Sequence, residues 1–319
     1  MNMGLVKYLR NVIHHDSSTR RRLDQGLRKL EELQSLVVEN RLLDRIERIR
    51  ERTLHSCEQG VSEKRLCETD VVVSLTSFGN RVSDVHLAIE TIMQGTIKPN
   101  RIILWLSESE FSSRDIPVTL QRQVTRGLEI RFCKDIRSYT KLMYTLKEYP
   151  DSCIITIDDD VIYEYDIVER LINTHKHHPQ AVCACRVHRI ILGNDNKPKS
   201  YMDWDWEVES QGNENPLLFP TGVGGVLYPP HCFSDEVFNE DIYMTKCPYA
   251  DDVWFYAMEL LNGTPVVQVY TGMPTGYYSE LPSSHYNSLR HQNTNAVCCR
   301  NDVQIKAVFD HYDLYKKLC

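Results

Sequence analysis

The chain has 319 residues, 42% of them hydrophobic, with 37 Lys+Arg against 44 Asp+Glu and a formal charge of -7. That composition suits a globular protein of one large or two modest domains. No run approaches the roughly 18 apolar residues of a membrane-spanning helix, and the acidic balance argues against a nucleic-acid binder, whose footprint is basic.

The charge is uneven. Residues 1–66 carry 14 Lys+Arg and 10 Asp+Glu, a net +4, and the remainder is -11. Lys7 and Arg10 interrupt the first apolar residues, so no secretory signal is expected. The 11 cysteines include no CxxC pair. Cys133, Cys153, Cys183 and Cys185 sit in strand-like apolar runs, where Cys acts as a small hydrophobe. A reducing, cytoplasmic setting without a disulfide framework is predicted.

In chain order, residues 1–66 read as a helical arm. Leu23, Leu27, Leu30, Leu33, Val37, Leu42, Ile46 and Ile49 recur near a helical period. The heptad register breaks at Gln34, Arg41 and Asp44, so packing on the body or on a partner is expected rather than a long coiled coil. Arg20, Arg21 and Arg22 follow an amphipathic start. That pattern suits either a solvated face or an anionic membrane on the cytoplasmic side.

From residue 67 the chain reads as one α/β body. Strands are predicted at Val71–Leu75, Arg101–Leu106, Glu129–Cys133, Cys153–Ile157, Ala181–Val187 and Val266–Tyr270. Strand starts recur every 24–30 positions up to Cys153, the βαβ period of a mostly parallel sheet. Helices are predicted over Asp84–Gln94, capped by Ser83, after Ser138, from Tyr165 to His177, and from Asp252 to Gly263. Thr221–Tyr228 has too many glycines for a strand and suits a close backbone approach. Residues 272–300 read as a loop or lid.

The most informative segment is Cys153-Ile154-Ile155-Thr156-Ile157 running into Asp158-Asp159-Asp160. Ligands of parallel α/β sheets bind at the carboxyl ends of strands. Three adjacent carboxylates repel one another, and a divalent cation relieves the conflict. Along an extended chain Asp158 and Asp160 share one side, giving hard oxygen ligands for Mg²⁺ or Mn²⁺. A capping role for the following helix is the plainer alternative. Two reaction classes use such a strand-to-D-x-D junction: nucleotide-sugar glycosyl transfer and the haloacid-dehalogenase phosphatases. The phosphatase motif opens its domain, whereas here three strands precede it.

The sequence resembles the GT-A glycosyltransferases, and among them the bacterial enzymes of lipopolysaccharide, capsule and other surface glycans. The pieces that carry the resemblance lie within 70–272. They are Val71–Phe78, Lys98–Trp105, Ser138–Leu142, the triplet, and Ala250-Asp251-Asp252-Val253-Trp254. The resemblance implies a Rossmann-like, mostly parallel sheet flanked by helices, with the arm as an N-terminal extension. It implies a nucleotide-diphosphate-sugar donor, Mn²⁺ or Mg²⁺, and a glycan or lipid-linked acceptor.

By resemblance, Thr76, Ser77 and Arg81 contact the nucleotide, Asp135 holds base or ribose, and Tyr139 stacks on the base. Lys141 neutralises the diphosphate beside Asp158 and Asp159. The metal falls to Asp158 and Asp160, with a third ligand from His285 or, less favoured, His291. Asp252, with Asp251 as alternate, is the general base of an inverting transfer. Trp204, Trp206 and Trp254 offer faces for a sugar. The His175, His177 and His178 cluster suits a helix C-terminus. Besides the phosphatase, a non-catalytic module with a degenerate transferase core is the rival reading. The arm is the expected site of membrane contact or self-association.

Overall fold

The computed structural model describes residues 17–210, 212–272, 278–282 and 299–318. The chain divides into two compact units at Ile49/Arg50. The first is dominated by the long helix α1 (Ser17–His55), which runs across the boundary. Leu30, Leu33, Leu36, Val37, Val38 and Leu43 on it are exposed. Among the described residues, no helix is long and apolar enough to cross a membrane.

The second unit is an α/β body. In chain order it has β1 (Val71–Thr76), α2 (Val85–Met93), β2 (Arg101–Ser107), α3 (Val118–Val124), β3 (Leu128–Cys133), α4 (Thr140–Glu148) and β4 (Cys153–Thr156). Then follow β5 (Val161–Tyr163), α5 (Ile167–His177), β6 (Val182–Ala184), β7 (Val187–Arg189), β8 (Leu218–Pro220) and β9 (Val226–Tyr228). The chain closes with α6 (Glu240–Lys246), α7 (Asp251–Asn262), β10 (Val266–Gln268), β11 (Tyr278–Glu280) and α8 (Arg300–Tyr312).

Seven strands form the main sheet in the order β10-β6-β9-β4-β1-β2-β3. β3, β2, β1 and β4 run parallel to one another, and so do β6 and β10. β9 runs antiparallel to both β4 and β6 and joins the two parallel blocks. Small antiparallel pairs, β5 with β11 and β7 with β8, stand beside it.

Residue alternation separates the two faces of the sheet. Val71, Val73, Leu75, Ile155, Cys183 and Leu227 pack with α2, α3 and α5. Ile154, Val182, Ala184, Val226 and Tyr228 pack with α4, α7 and α8. Under the first face, Glu90 on α2 is wholly buried and pairs with Arg126 at 2.7 Å. Gln123 Nε2 donates to the same carboxylate at 3.1 Å.

The predicted α/β architecture and its parallel strands are present. The differences are local. Ser83 makes no side-chain cap to α2, which starts after Asp84. The Ala181–Val187 run is two strands, β6 and β7, with a break between them. The glycine-rich segment does hold a strand. Gly224 and Gly225 take φ of +98° and +95°, turning the backbone sharply, and Val226–Tyr228 then enters the sheet centre as β9. Glycine is suited to such φ values because it has no Cβ.

Candidate active site

β1 and β4 are adjacent and parallel, so their carboxyl ends open together. A polar network beneath β1 sets the height of α4. The buried Ser74 hydroxyl donates to the Lys141 carbonyl at 2.6 Å and lies 2.6 Å from the Thr145 hydroxyl, which also accepts from Trp105 Nε1 at 2.7 Å. Lys141, in the first turn of α4, is thereby aimed at the loop after β4. A cavity of about 490 Å³ lies above these strand ends, within the range of small-molecule sites.

Extended backbone stops at Thr156, and Asp159 and Asp160 lie in a turn. The Tyr163 hydroxyl accepts from the Asp158 N–H at 2.8 Å, and the Asp160 carbonyl accepts from Leu281 N–H at 2.8 Å. The turn keeps the outer carboxylates toward the cavity. The Asp158 and Asp160 side chains retain 26% and 22% of their surface, against 7% for Asp159. Asp159 instead accepts from Ser77 Oγ at 2.6 Å and from Arg81 Nη1 at 2.9 Å. Arg81 reaches Asp160 as well, at 3.0 Å.

The second acidic pair opens α7. Asp252 accepts from the Gly222 N–H at 3.0 Å. The Lys141 ammonium lies between the two acidic segments, 3.0 Å from Asp158 and 3.1 Å from Asp251. A Cβ on Gly222 would stand 2.8 Å from Lys141 Nζ, so glycine makes room for this bridge.

The charge balance is the main electrostatic feature. Asp158, Asp159, Asp160, Asp251 and Asp252 line one cavity with Lys141 and Arg81 as their partners. With Glu110, Asp135 and Glu280, eight carboxylates line the cavity against four cations, Arg81, Arg137, Lys141 and Arg186. Burial, then Asp158 and Asp159, pushes Asp160 up to about 7. Burial, then Asp251, pushes Asp252 up to about 7 against the pull of Lys141. Burial opposes charge on Lys141, but Asp158, Asp251 and Asp252 outweigh it and hold the ammonium well above its ordinary range. An excess of hard oxygen donors facing a cavity fits Mg²⁺ or Mn²⁺, which often takes one or two carboxylates and completes its shell with substrate phosphates and water.

The sequence-predicted residues are distributed as follows. Thr76, Ser77, Arg81, Asp135, Lys141, Asp158, Asp159, Asp160, Asp251 and Asp252 all line the cavity. Thr76 Oγ1 donates to the Trp105 carbonyl at 3.0 Å. Asp135 accepts from Arg137 N–H at 2.7 Å.

Tyr139 is placed differently. Its ring is fully buried and stacks on Tyr243 at 4.3 Å, and its hydroxyl donates to the Cys247 carbonyl. It stands in the core beneath the cavity, with no face for a base. Trp254 is likewise core, donating to the Val237 carbonyl, and Trp204 is buried, donating to that of Lys199. Trp206 is in the cavity wall. His285 and His291 lie outside the described residues.

The structure adds wall residues that sequence reasoning passed over. Arg186 is buried, pairs with Glu207 at 2.9 Å and lies 3.4 Å from the Tyr278 hydroxyl. The His188 ring lies tilted against Trp206, with centroids 4.7 Å apart. Arg137 adopts φ +62°, costly for a residue with a Cβ, and lies 4.4 Å over the Tyr249 ring. No motif marks these positions. The one available signal was the density of aromatic residues after Tyr201.

No protein-family model and no curated protein matches the sequence. Among solved structures, the chain is similar to the mannosyltransferase PcManGT from Pyrobaculum calidifontis in complex with GDP-Man and Mn²⁺. The identity is 15%, over 45% of this chain and 42% of that one, with a TM-score of 0.31. It is also similar to S. aureus TarS 1–349, at 8% identity over 78% of this chain and 70% of that one, with a TM-score of 0.45. The present chain thus spans less than half the length of the mannosyltransferase.

Proposed function

We propose that the protein is a metal-dependent glycosyltransferase. It would move a sugar from a nucleotide-diphosphate donor to a hydroxyl of a glycan or lipid-linked acceptor. One observation carries this reading: two acidic segments far apart in sequence, 158–160 and 251–252, meet in one cavity across a single buried lysine.

In this reading Asp158 and Asp160 hold Mn²⁺ or Mg²⁺, which when bound supplies Lewis-acid stabilisation of the charge on a departing diphosphate. Lys141 adds a fixed positive charge beside the same oxygens. Arg81 and Ser77 hold Asp159 and keep the triplet in its turn. Asp252, pushed up to about 7, is poised to accept the proton of the acceptor hydroxyl near neutral pH. The Gly222 N–H fixes which carboxylate oxygen remains available. Attack from the face opposite the nucleotide gives inversion. Trp206 and His188 form an aromatic wall suited to a sugar ring. The free cysteines among the described residues accord with a cytoplasmic enzyme, and the arm's exposed leucines suit a membrane surface or a second copy.

The test is a thermal-shift and nucleotide-release screen of UDP-, GDP-, CMP- and dTDP-sugars with and without Mn²⁺. One donor should stabilise the protein only with metal, and D158N and D160N should abolish the effect. Release of phosphate from simple esters, with no response to any nucleotide sugar, would instead support a phosphatase and refute the proposal.

A further inference from the structure

A second cluster of metal-ligating side chains lies at the opposite end of the same strands. Cys153 is the first residue of β4, at the amino end of the sheet, whereas the acidic triplet follows its carboxyl end. Cys67 sits in the segment before β1, and His175 in the last turn of α5. Among the described residues these three form the one group whose ligand atoms all lie within 4.8 Å of one another.

The distances carry the chemistry. Cys67 Sγ lies 3.8 Å from Cys153 Sγ, and Cys153 Sγ lies 3.4 Å from His175 Nε2. A tetrahedral ion with bonds of about 2.3 Å to sulfur and about 2.0–2.1 Å to nitrogen has S···S and S···N edges of about 3.8 and about 3.6 Å. A disulfide requires sulfurs at about 2.05 Å, far closer than these. Cys153 is 1% and His175 9% exposed. His175 presents Nε2 to Cys153 Sγ, while its buried Nδ1 has no hydrogen-bond partner among the described residues. Cys67 is half-buried, which leaves one side of the triangle open to a fourth ligand from solvent. The Thr69 hydroxyl donates to Cys153 Sγ at 3.5 Å, and its carbonyl accepts from the Cys67 thiol at 3.3 Å, whose proton metal binding would release.

We propose that Cys67, Cys153 and His175 bind a zinc-class ion, tying the segment before β1 to the start of β4 and the end of α5. Two sulfurs and an imidazole form a soft to borderline donor set that prefers Zn²⁺ to Mn²⁺ or Mg²⁺. The hard carboxylates at the other end of the strands have the reverse preference. The site stands independently of the proposed transfer activity.

The experiment uses full-length protein, reduced and stripped of metal, titrated with Co²⁺ as an optical probe and back-titrated with Zn²⁺. The expected result is a thiolate-to-cobalt charge-transfer absorption with intense tetrahedral d–d bands, bleached by one equivalent of Zn²⁺. Losing an outer-shell partner of a metal ligand already weakens binding 10–100-fold. C67S and H175A, which remove ligands, should therefore weaken it by more than about 100-fold. D158N/D160N should leave it within about threefold. Zn²⁺ should raise the melting temperature of the wild type and not that of C67S, whose position is half-exposed and tolerant. The proposal is overturned if the wild type shows no thiolate–cobalt band, if the band survives in C67S, or if mass spectrometry finds Cys67 and Cys153 joined as a disulfide in protein purified with Zn²⁺ present.

Discussion

Gly222→Ala separates the chemistry of the cavity from the stability of the fold. The added Cβ would stand 2.8 Å from Lys141 Nζ, 3.1 Å from Asp252 Oδ1 and 3.8 Å from Asp158 Oδ1. Non-bonded contacts to carbon are comfortable at about 3.5–4.0 Å, so the ammonium must retreat by about 0.5–1 Å. It now holds Asp158 at 3.0 Å and Asp251 at 3.1 Å, and that retreat breaks at least one of the two pairs. The atoms displaced are the ends of side chains rather than backbone, so unfolding free energy should fall by only about 1 kcal/mol. A misplacement of about 1 Å at a reacting centre costs about 100-fold in rate, or about 2.7 kcal/mol of activation free energy. The assay is kcat/KM for nucleotide release with the donor found in the screen, beside urea denaturation of the same preparation. A kcat/KM within threefold of wild type would refute the assigned role of the lysine bridge. A loss of several kcal/mol of stability would refute the tolerance argument.

Asp252→Asn should keep metal-dependent donor binding within a few-fold and lower kcat by about 10²–10⁴, the usual contribution of a positioned base. In the wild type the activity should rise with pH through a limb near 7, because burial and Asp251 keep Asp252 protonated below that value. Glu259, buried with both oxygens lacking hydrogen-bond partners among the described residues, is pushed from 4.5 up to about 8 by burial and then by Asp252. The folded state therefore holds a proton that the unfolded chain releases, and stability falls as pH rises between about 4.5 and about 8, by up to about 1.4 kcal/mol per pH unit. Glu259→Gln should flatten that slope and exceed wild-type stability at pH 8 in urea denaturation; an unchanged slope would contradict it. Glu90→Ala should cost about 3–5 kcal/mol, because it strands the Arg126 guanidinium in the core, as measured by the same method. Deleting residues 1–49 should abolish liposome co-sedimentation or shift the sedimentation coefficient to that of a monomer while nucleotide release persists. Unchanged behaviour in both would remove the arm from either role.

The sheet was legible in sequence where strands run parallel and alternate with helices. Val71, Arg101 and Cys153 start strands within a residue of expectation, because buried parallel strands are continuous apolar runs. The three-residue strands β5, β8, β9 and β11 were not, since such short runs carry too little periodicity, whereas the equally short β6 and β10 lie in longer apolar runs. In β9 the two preceding glycines pointed toward a loop. The two acidic segments were visible because clustered carboxylates conflict with one another locally. Lys141 was visible only as a helix-start cation, and its role between the two acidic segments depends on how α4 and α7 pack. The inward turn of Tyr139 was not legible because a Tyr beside a polar motif looks the same whether its ring turns outward or inward. Cys153 was read as a simple hydrophobe because nothing local links it to Cys67, 86 residues away, or to His175.

The antiparallel β9 has a bearing on how the molecule is made. Among the described residues β6 pairs within the sheet only with β9 and β10, so when Val182–Ala184 leaves the ribosome neither of those partners has been made. It must wait until Val226–Tyr228 arrives to seat against β4, and Val266–Gln268 can then close the row. The turn at 158–160 is thus synthesised well before Asp251 and Asp252 can face it across Lys141. A three-residue insert is the keystone between the block of the sheet that carries the first acidic segment and the β6-β10 block, whose two strands flank the second in sequence. A proline at Leu227, which would remove a backbone donor from a strand paired on both sides, should divide the molecule along that line.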